Sequence, residues 1–219
     1  MWQTTRLFAC VGAALFTVGL ASTPAAPQLG ARTAEEWIKT LESPARIASL
    51  KIDETVARLR LKPGDVVADI GAGSGIFEGP LAKAVTSAGK IYAVDIDQAL
   101  LDNIDKRTKE FQIANVQTVL GKFADPHLPA RDIDLAFIDD VLHHIEDRAG
   151  YLKNLAGYLK PSGRMAVIDY IPDKGGHQAQ PELQITKAQV TAWMAAAGMK
   201  SVEEFDLFDT KWFVIYERR

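Results

Sequence analysis

The sequence predicts a doubly wound, mostly parallel α/β sheet closed by an antiparallel C-terminal hairpin, and three observations carry that prediction. Residues 66–70 read VVADI, an apolar run without polar alternation, which marks a strand buried on both faces as in a parallel sheet. Similar short runs then alternate with segments of helical periodicity, the pattern of successive βαβ units. The last two strand-like runs, 202–208 and 212–216, are joined only by Asp209-Thr210-Lys211, and a link that short makes neighbouring strands antiparallel.

The elements follow in order. Arg6 precedes an apolar stretch, residues 7–20, and small residues and prolines continue through Ala31. Charge, apolar run and small residues in that order describe a secretory signal. Residues 1–30 are therefore expected to be a signal peptide or, if uncleaved, a membrane anchor, with residues 31–219 as one domain. The expected location is exported, periplasmic or secreted. Membrane anchoring and a cytoplasmic catalytic domain are the alternatives, because Arg6 before the stretch and Arg32, Lys39 and Arg46 after it leave orientation open. Cys10 is the only cysteine and lies in that segment, so a processed chain has no thiol for a disulfide, a thiolate-zinc site or a nucleophile.

Past the signal, apolar residues at helical spacing predict two helices, over 33–50 and 52–61, and Lys62-Pro63-Gly64-Asp65 is a turn into the first strand. A helix over 77–86 has Pro80 in its first turn, where a missing N–H is tolerated. Strand 91–94, a helix over 98–111, strand 116–120, strand 133–138 and a helix over 149–159 follow. Lys160-Pro161-Ser162-Gly163 then turns into strand 165–168, and a helix over 187–197 precedes the hairpin. With 219 residues and a net charge of −3 of mixed sign, the chain is one enzyme-sized unit without a basic field for nucleic acid. Membrane contact is expected only through the N-terminal segment.

The chemistry is concentrated after the first strand. Gly71, Gly73 and Gly75 let the backbone turn sharply and approach a ligand, and Asp69 and Asp95 end two successive strands with carboxylates that can hold hydroxyls or an ammonium. A dinucleotide fingerprint, G-x-G-x-x-G, requires a third glycine where Ile76 stands. The pattern present, D-x-G-x-G-x-G, resembles motif I of class I S-adenosylmethionine-dependent methyltransferases, in particular the small-molecule, type 11-like group.

The resemblance covers about residue 50 to the C-terminus and implies a seven-stranded Rossmann-like sheet with S-adenosylmethionine as cofactor. It places Asp95 on the ribose hydroxyls and Asp69 near the methionine ammonium, with Gly71, Ala72, Gly73, Gly75, Ile96 and Asp139 around the cofactor. After the third strand, such enzymes carry an acid that accepts from the adenine amino group. Here Gly121 is followed by Lys122, a cation that cannot accept, so Asp125 is expected to take over and Phe123 to lie on the adenine.

Beyond the fourth strand, Asp139-Asp140-Val141-Leu142-His143-His144 reaches the carboxyl edge of the sheet, where open α/β folds bind ligands. Asp140, His143 and His144 are the catalytic candidates, since imidazole titrates near neutrality. The plain alternative has one histidine packing on the next helix and the other solvated. Asp169 and Tyr170 end the fifth strand at the same edge, and His177, in a glycine-rich loop, is placed to fold over it.

The acceptor is expected to be a small molecule of lipophilic character. The segment IDDVLHH lacks the N-P-P-Y loop of base and amide methylation, no double-E loop appears, and arsenite methylation needs several cysteines. A catechol-type magnesium site resembles Phe137-Ile138-Asp139 with Asp169, but Tyr170 replaces the asparagine that follows there, so no metal is assigned. An NAD(P)-binding oxidoreductase and a non-catalytic S-adenosylmethionine-binding protein are the alternatives.

Overall fold

A computed structural model describes residue 1 and residues 32–219; the expected signal segment, with Arg6 and Cys10, lies outside the described residues. Three short helices come first, α1 (Ala34–Leu41), α2 (Pro44–Leu50) and α3 (Ile52–Leu59). Two were expected. Pro44 lacks an N–H and so begins α2 instead of extending α1, while Thr33 and Glu36 close the start of α1 with a reciprocal capping box.

The remaining elements are β1 (Val66–Ile70), α4 (Glu78–Val85), β2 (Lys90–Asp95), α5 (Gln98–Glu110), β3 (Val116–Leu120), β4 (Ile133–Asp139), α6 (Arg148–Ala156), β5 (Leu159–Tyr170), α7 (Lys187–Ala196), β6 (Met199–Phe205) and β7 (Lys211–Arg218). They form one seven-stranded sheet of order β3-β2-β1-β4-β5-β7-β6, in which β7 alone runs opposite to the other strands. This is the expected architecture.

Alternate strand residues face two separate cores. Ala68, Ile70, Ala136, Ile138 and Val167 pack under α6 and α7, whereas Val67, Leu135, Phe137, Ala166 and Ile168 pack under α3 and α4. Burial on both faces explains why these strands read as unbroken apolar runs. Among the described residues, no helix is long and apolar enough to cross a membrane.

Two local expectations are corrected. Lys160-Pro161-Ser162-Gly163 is not a turn before the fifth strand; it is an irregularity inside β5, where Ile133 pairs with Leu159 but Leu135 with Arg164. The extra residues bulge from the ladder, which accommodates a proline without an N–H. Strand β6 begins three residues earlier than expected, and Leu207 and Phe208 turn into the core instead of extending it. Because the strand order reverses between β1 and β4, the loops after these two strands diverge and leave a crevice at their carboxyl ends. The glycine loop and residues 139–144 meet there.

Candidate active site

The glycine loop is fixed from both sides. The N–H groups of Gly71 and Ala72 donate to Val94 O at 2.8 and 2.9 Å, tying the end of β1 to β2. Gly71, Gly73 and Gly75 have φ of 74°, 58° and 82°, in the left-handed region. A Cβ on Gly71 would stand 2.5 Å from Val141 Cγ2, so that position admits only glycine without rearrangement. Gly73 N donates to Asp95 Oδ2 at 2.9 Å, and Asp97 N donates to Asp95 Oδ1 at 3.0 Å. Asp95 therefore holds the loop in shape as well as facing the crevice. Burial raises its carboxyl above the ordinary value, against the opposing effect of those backbone donors.

A cavity of about 180 Å³ occupies the crevice, and Gly71, Gly73, Asp95, Ile96, Phe123, Asp139, Asp140 and His144 all line it. Asp69 and Ala72 line a smaller adjoining cavity that shares Gly71, Gly73 and Asp139 with the first. Gly75 lies behind the loop, against Ile104 and Glu78. Phe123 is exposed, as a free platform for a planar ring must be. Asp125 is not among the residues that line the cavity; its Oδ1 accepts from Tyr158 Oη at 2.8 Å and His127 N at 2.7 Å.

Sequence reasoning missed the residues that close the cavity. Trp37, Leu41 and Arg46 come from α1 and α2, which lie across the mouth although they precede the sheet in the chain. It also missed Glu78 and Lys211. Glu78 is buried beside Asp69, and burial pushes its carboxyl up to about 7. Burial, followed by the neighbouring Glu78, raises Asp69 as well. Two buried acids side by side disfavour each other's charge, and a cation beside Asp69 would relieve that.

Lys211 answers the acids after β4. Its Nζ donates to Asp140 Oδ2 at 2.6 Å and stands 3.7 Å from Asp139 Oδ1, while Arg46 Nη1 lies 3.0 Å from Asp140 Oδ2. Burial pulls the Lys211 ammonium down, but the two carboxylates outweigh it and hold it charged. Burial, then the adjacent Asp140, pushes Asp139 up to about 7. Asp140, one of the catalytic candidates, stands at φ 56° and is clamped as the ion-pair partner of two cations. An excess of acids at a strand end was the one signal in the sequence that cations had to come from elsewhere.

The two adjacent histidines separate on a 3₁₀ turn over Leu142–His144. His143 is 1% exposed, with Nδ1 2.8 Å from Asp169 Oδ1, and its backbone N donates to Asp169 Oδ2 at 3.2 Å. An ionised carboxylate only accepts, so Nδ1 carries a proton, and in the neutral ring this leaves the lone pair on Nε2. That Nε2 is buried and has no hydrogen-bond partner among the described residues. Burial, followed by the neighbouring imidazoles of His143 and His177, pushes His144 down to about 3 and keeps it neutral. His177 does fold over the edge, its ring 4.7 Å from that of His143 and 5.1 Å from that of His144. The catechol-type magnesium set does not assemble, because Asp169 is committed to His143 and Tyr170 N, and Asp139 and Asp140 to cations.

A larger cavity of about 600 Å³ beside β7, lined by Pro172, Thr186, Phe205 and Trp212, touches none of the glycine-loop residues. The crevice between β1 and β4 also fits S-adenosylmethionine by its own chemistry. It offers a glycine cradle for close approach, Asp95 for hydroxyls, Phe123 for a purine face and, in the adjoining cavity, Asp69 for an ammonium.

Known proteins agree with that assignment. Residues 68–167 match the family described as methyltransferase domain. The chain is 31% identical over 153 residues to a 2-phytyl-1,4-naphtoquinone methyltransferase of Synechococcus elongatus, covering 68% of this chain and 63% of that one. It is 26% identical over 117 residues to a demethylmenaquinone methyltransferase of a Geobacillus species, covering 53% and 50%. The chain spans about half the length of the first curated relatives it matches. A crystal structure of a SAM-dependent methyltransferase from Aquifex aeolicus superposes with a TM-score of 0.77 at 22% identity, over 86% of this chain and 100% of that one, a likeness of fold. Residues 68–167 thus resemble a methyltransferase domain, and the chain shares the fold of a SAM-dependent methyltransferase.

Proposed function

We propose that the protein transfers a methyl group from S-adenosylmethionine to a lipophilic small molecule of the quinol or phenol class. The observation that carries this reading is the continuity of the cavity: beyond Gly71, Gly73 and Asp95 its wall passes to Trp37, Leu41, Ile145 and Tyr151 and reaches His144. Apolar and aromatic walls with a few convergent polar groups suit a ring-bearing acceptor. The quinone methyltransferases among the relatives support the same acceptor class.

S-adenosylmethionine supplies a methyl group that its sulfonium already makes electrophilic. The task of the chain is to align the acceptor and exclude water. Gly71 and Gly73 hold the backbone close to the cofactor, Asp95 anchors its hydroxyls, and the α1–α2 segment closes over the cavity with Trp37 and Leu41. His144, kept neutral, lines the acceptor side of the same cavity. Calorimetry with S-adenosylhomocysteine and with NAD, followed by methyl-transfer assays on reduced naphthoquinones and simple phenols, tests the reading. Binding of NAD in place of S-adenosylhomocysteine overturns it; cofactor binding without turnover on any acceptor class leaves a binding protein instead of an enzyme.

The same reading places the enzyme outside the cytoplasm, on the order of Arg6, the apolar run 7–20 and the small residues that follow. Sequencing the mature N-terminus after cell fractionation checks it. A terminus between Ser22 and Arg32 in the periplasm agrees with export, and an intact Met1 in the soluble cytosolic fraction contradicts it.

A further inference from the structure

We propose that His143, His144 and His177 form a three-imidazole site for a divalent transition metal of the zinc class, set in the acceptor-side wall of the cavity. One ring nitrogen from each lies within 4.8 Å of the others. Tetrahedral zinc with Zn–N bonds of 2.0–2.1 Å places its ligands about 3.3 Å apart, so a small inward shift of the rings closes the set. His177 sits on the loop between β5 and α7, where such a shift is accessible.

The strongest indication is His143. Its Nδ1 is engaged by Asp169, which is itself 1% exposed, and this fixes the tautomer that leaves Nε2 as a lone pair. A carboxylate behind a histidine whose far nitrogen faces an ion is the usual support of a metal ligand. Without an ion, that Nε2 is a buried acceptor with nothing to accept, a costly arrangement that a cation relieves. His177 is held in the same way. Its Nδ1 pairs with Gln180 Oε1 at 2.8 Å, leaving its Nε2 available, and its carbonyl accepts from Gln180 N and Gln184 Nε2, both at 2.9 Å. The residue adopts φ 63°, a conformation that a non-glycine residue keeps only where its surroundings impose it.

The donor set selects the metal. Three imidazoles without thiolate or carboxylate ligands suit zinc, copper, nickel or iron and do not suit magnesium or calcium. Three protein ligands also leave a tetrahedral ion one open position, as in catalytic rather than structural sites. His144 lines the cavity, so that position adjoins the acceptor. In a role that rests on the proposed methyl transfer, an acceptor hydroxyl bound there gives its proton to solvent more readily and presents an oxyanion.

The test is metal binding by tag-free, chelator-treated protein, measured by zinc titration and by the visible absorption of the cobalt(II) form. Expected are one equivalent per chain and the intense bands of a tetrahedral nitrogen site. His177→Ala, on the loop, should abolish those bands, and Asp169→Asn should weaken zinc binding about 10–100-fold. His127→Ala, remote from the cluster, should leave both unchanged. S-adenosylhomocysteine calorimetry on each variant shows that it is folded and separates failure of this proposal from failure of the cofactor assignment. Zinc binding by the wild-type chain no tighter than by His177→Ala, in variants that still bind S-adenosylhomocysteine, overturns the site.

Discussion

Replacing Asp95 separates its two tasks. In the free protein its carboxylate accepts from Gly73 N at 2.9 Å and Asp97 N at 3.0 Å, and each oxygen keeps a further lone pair toward the cavity for the ribose hydroxyls. Asp95→Ala removes the charged acceptor. A hydrogen bond to a charged group contributes about 1.5–3 kcal/mol, so S-adenosylhomocysteine affinity should fall roughly 10- to 150-fold. Asp95→Asn keeps one carbonyl acceptor but turns an amide N–H₂ toward either Gly73 N or Asp97 N, a donor against a donor. It should therefore lose affinity by a similar factor and, like Asp95→Ala, loosen the loop. Calorimetry with S-adenosylhomocysteine measures the first effect and thermal denaturation without ligand the second. Unchanged affinity in Asp95→Ala would refute the assignment of this carboxylate to the cofactor.

Three further outcomes follow from the same geometry. Gly71→Ala must hold φ 74° and bring a Cβ to 2.5 Å from Val141 Cγ2, so it should destabilise the fold by about 1–3 kcal/mol, with Val141→Ala recovering part of the loss in denaturant titrations. Lys211→Met breaks a buried ion pair and leaves Asp139 and Asp140 with Arg46 alone; a loss of about 3–5 kcal/mol is expected, and a melting temperature equal to wild type would contradict the pairing. Glu78, pushed up to about 7 from its ordinary 4.5, keeps a proton in the folded chain that the unfolded chain has lost. Its contribution to stability is therefore present below about pH 4.5 and declines as pH rises through about 7. Denaturant titrations across this window should show the decline in wild type and a flatter profile in Glu78→Gln.

The sequence by itself determined the alternation of buried strands and amphipathic helices, the antiparallel close and the cofactor loop. Each of these depends on local periodicity or on backbone freedom at named residues, such as the left-handed glycines after β1 and Asp95 at the end of β2. It also brought Asp139, Asp140, His143 and His144 to the right edge, because a residue that ends a parallel strand has to lie there. What the tertiary structure alone decided is which partner each of these residues meets. Asp140 is clamped by Arg46, 94 residues before it, and by Lys211, 71 residues after it; Asp125 turns away to Tyr158; and Asp169 fixes the tautomer of His143 across 26 residues. Periodicity reports the face on which a side chain lies. The charge and hydrogen bonds it finds there come from segments distant in the chain, and only packing brings those together.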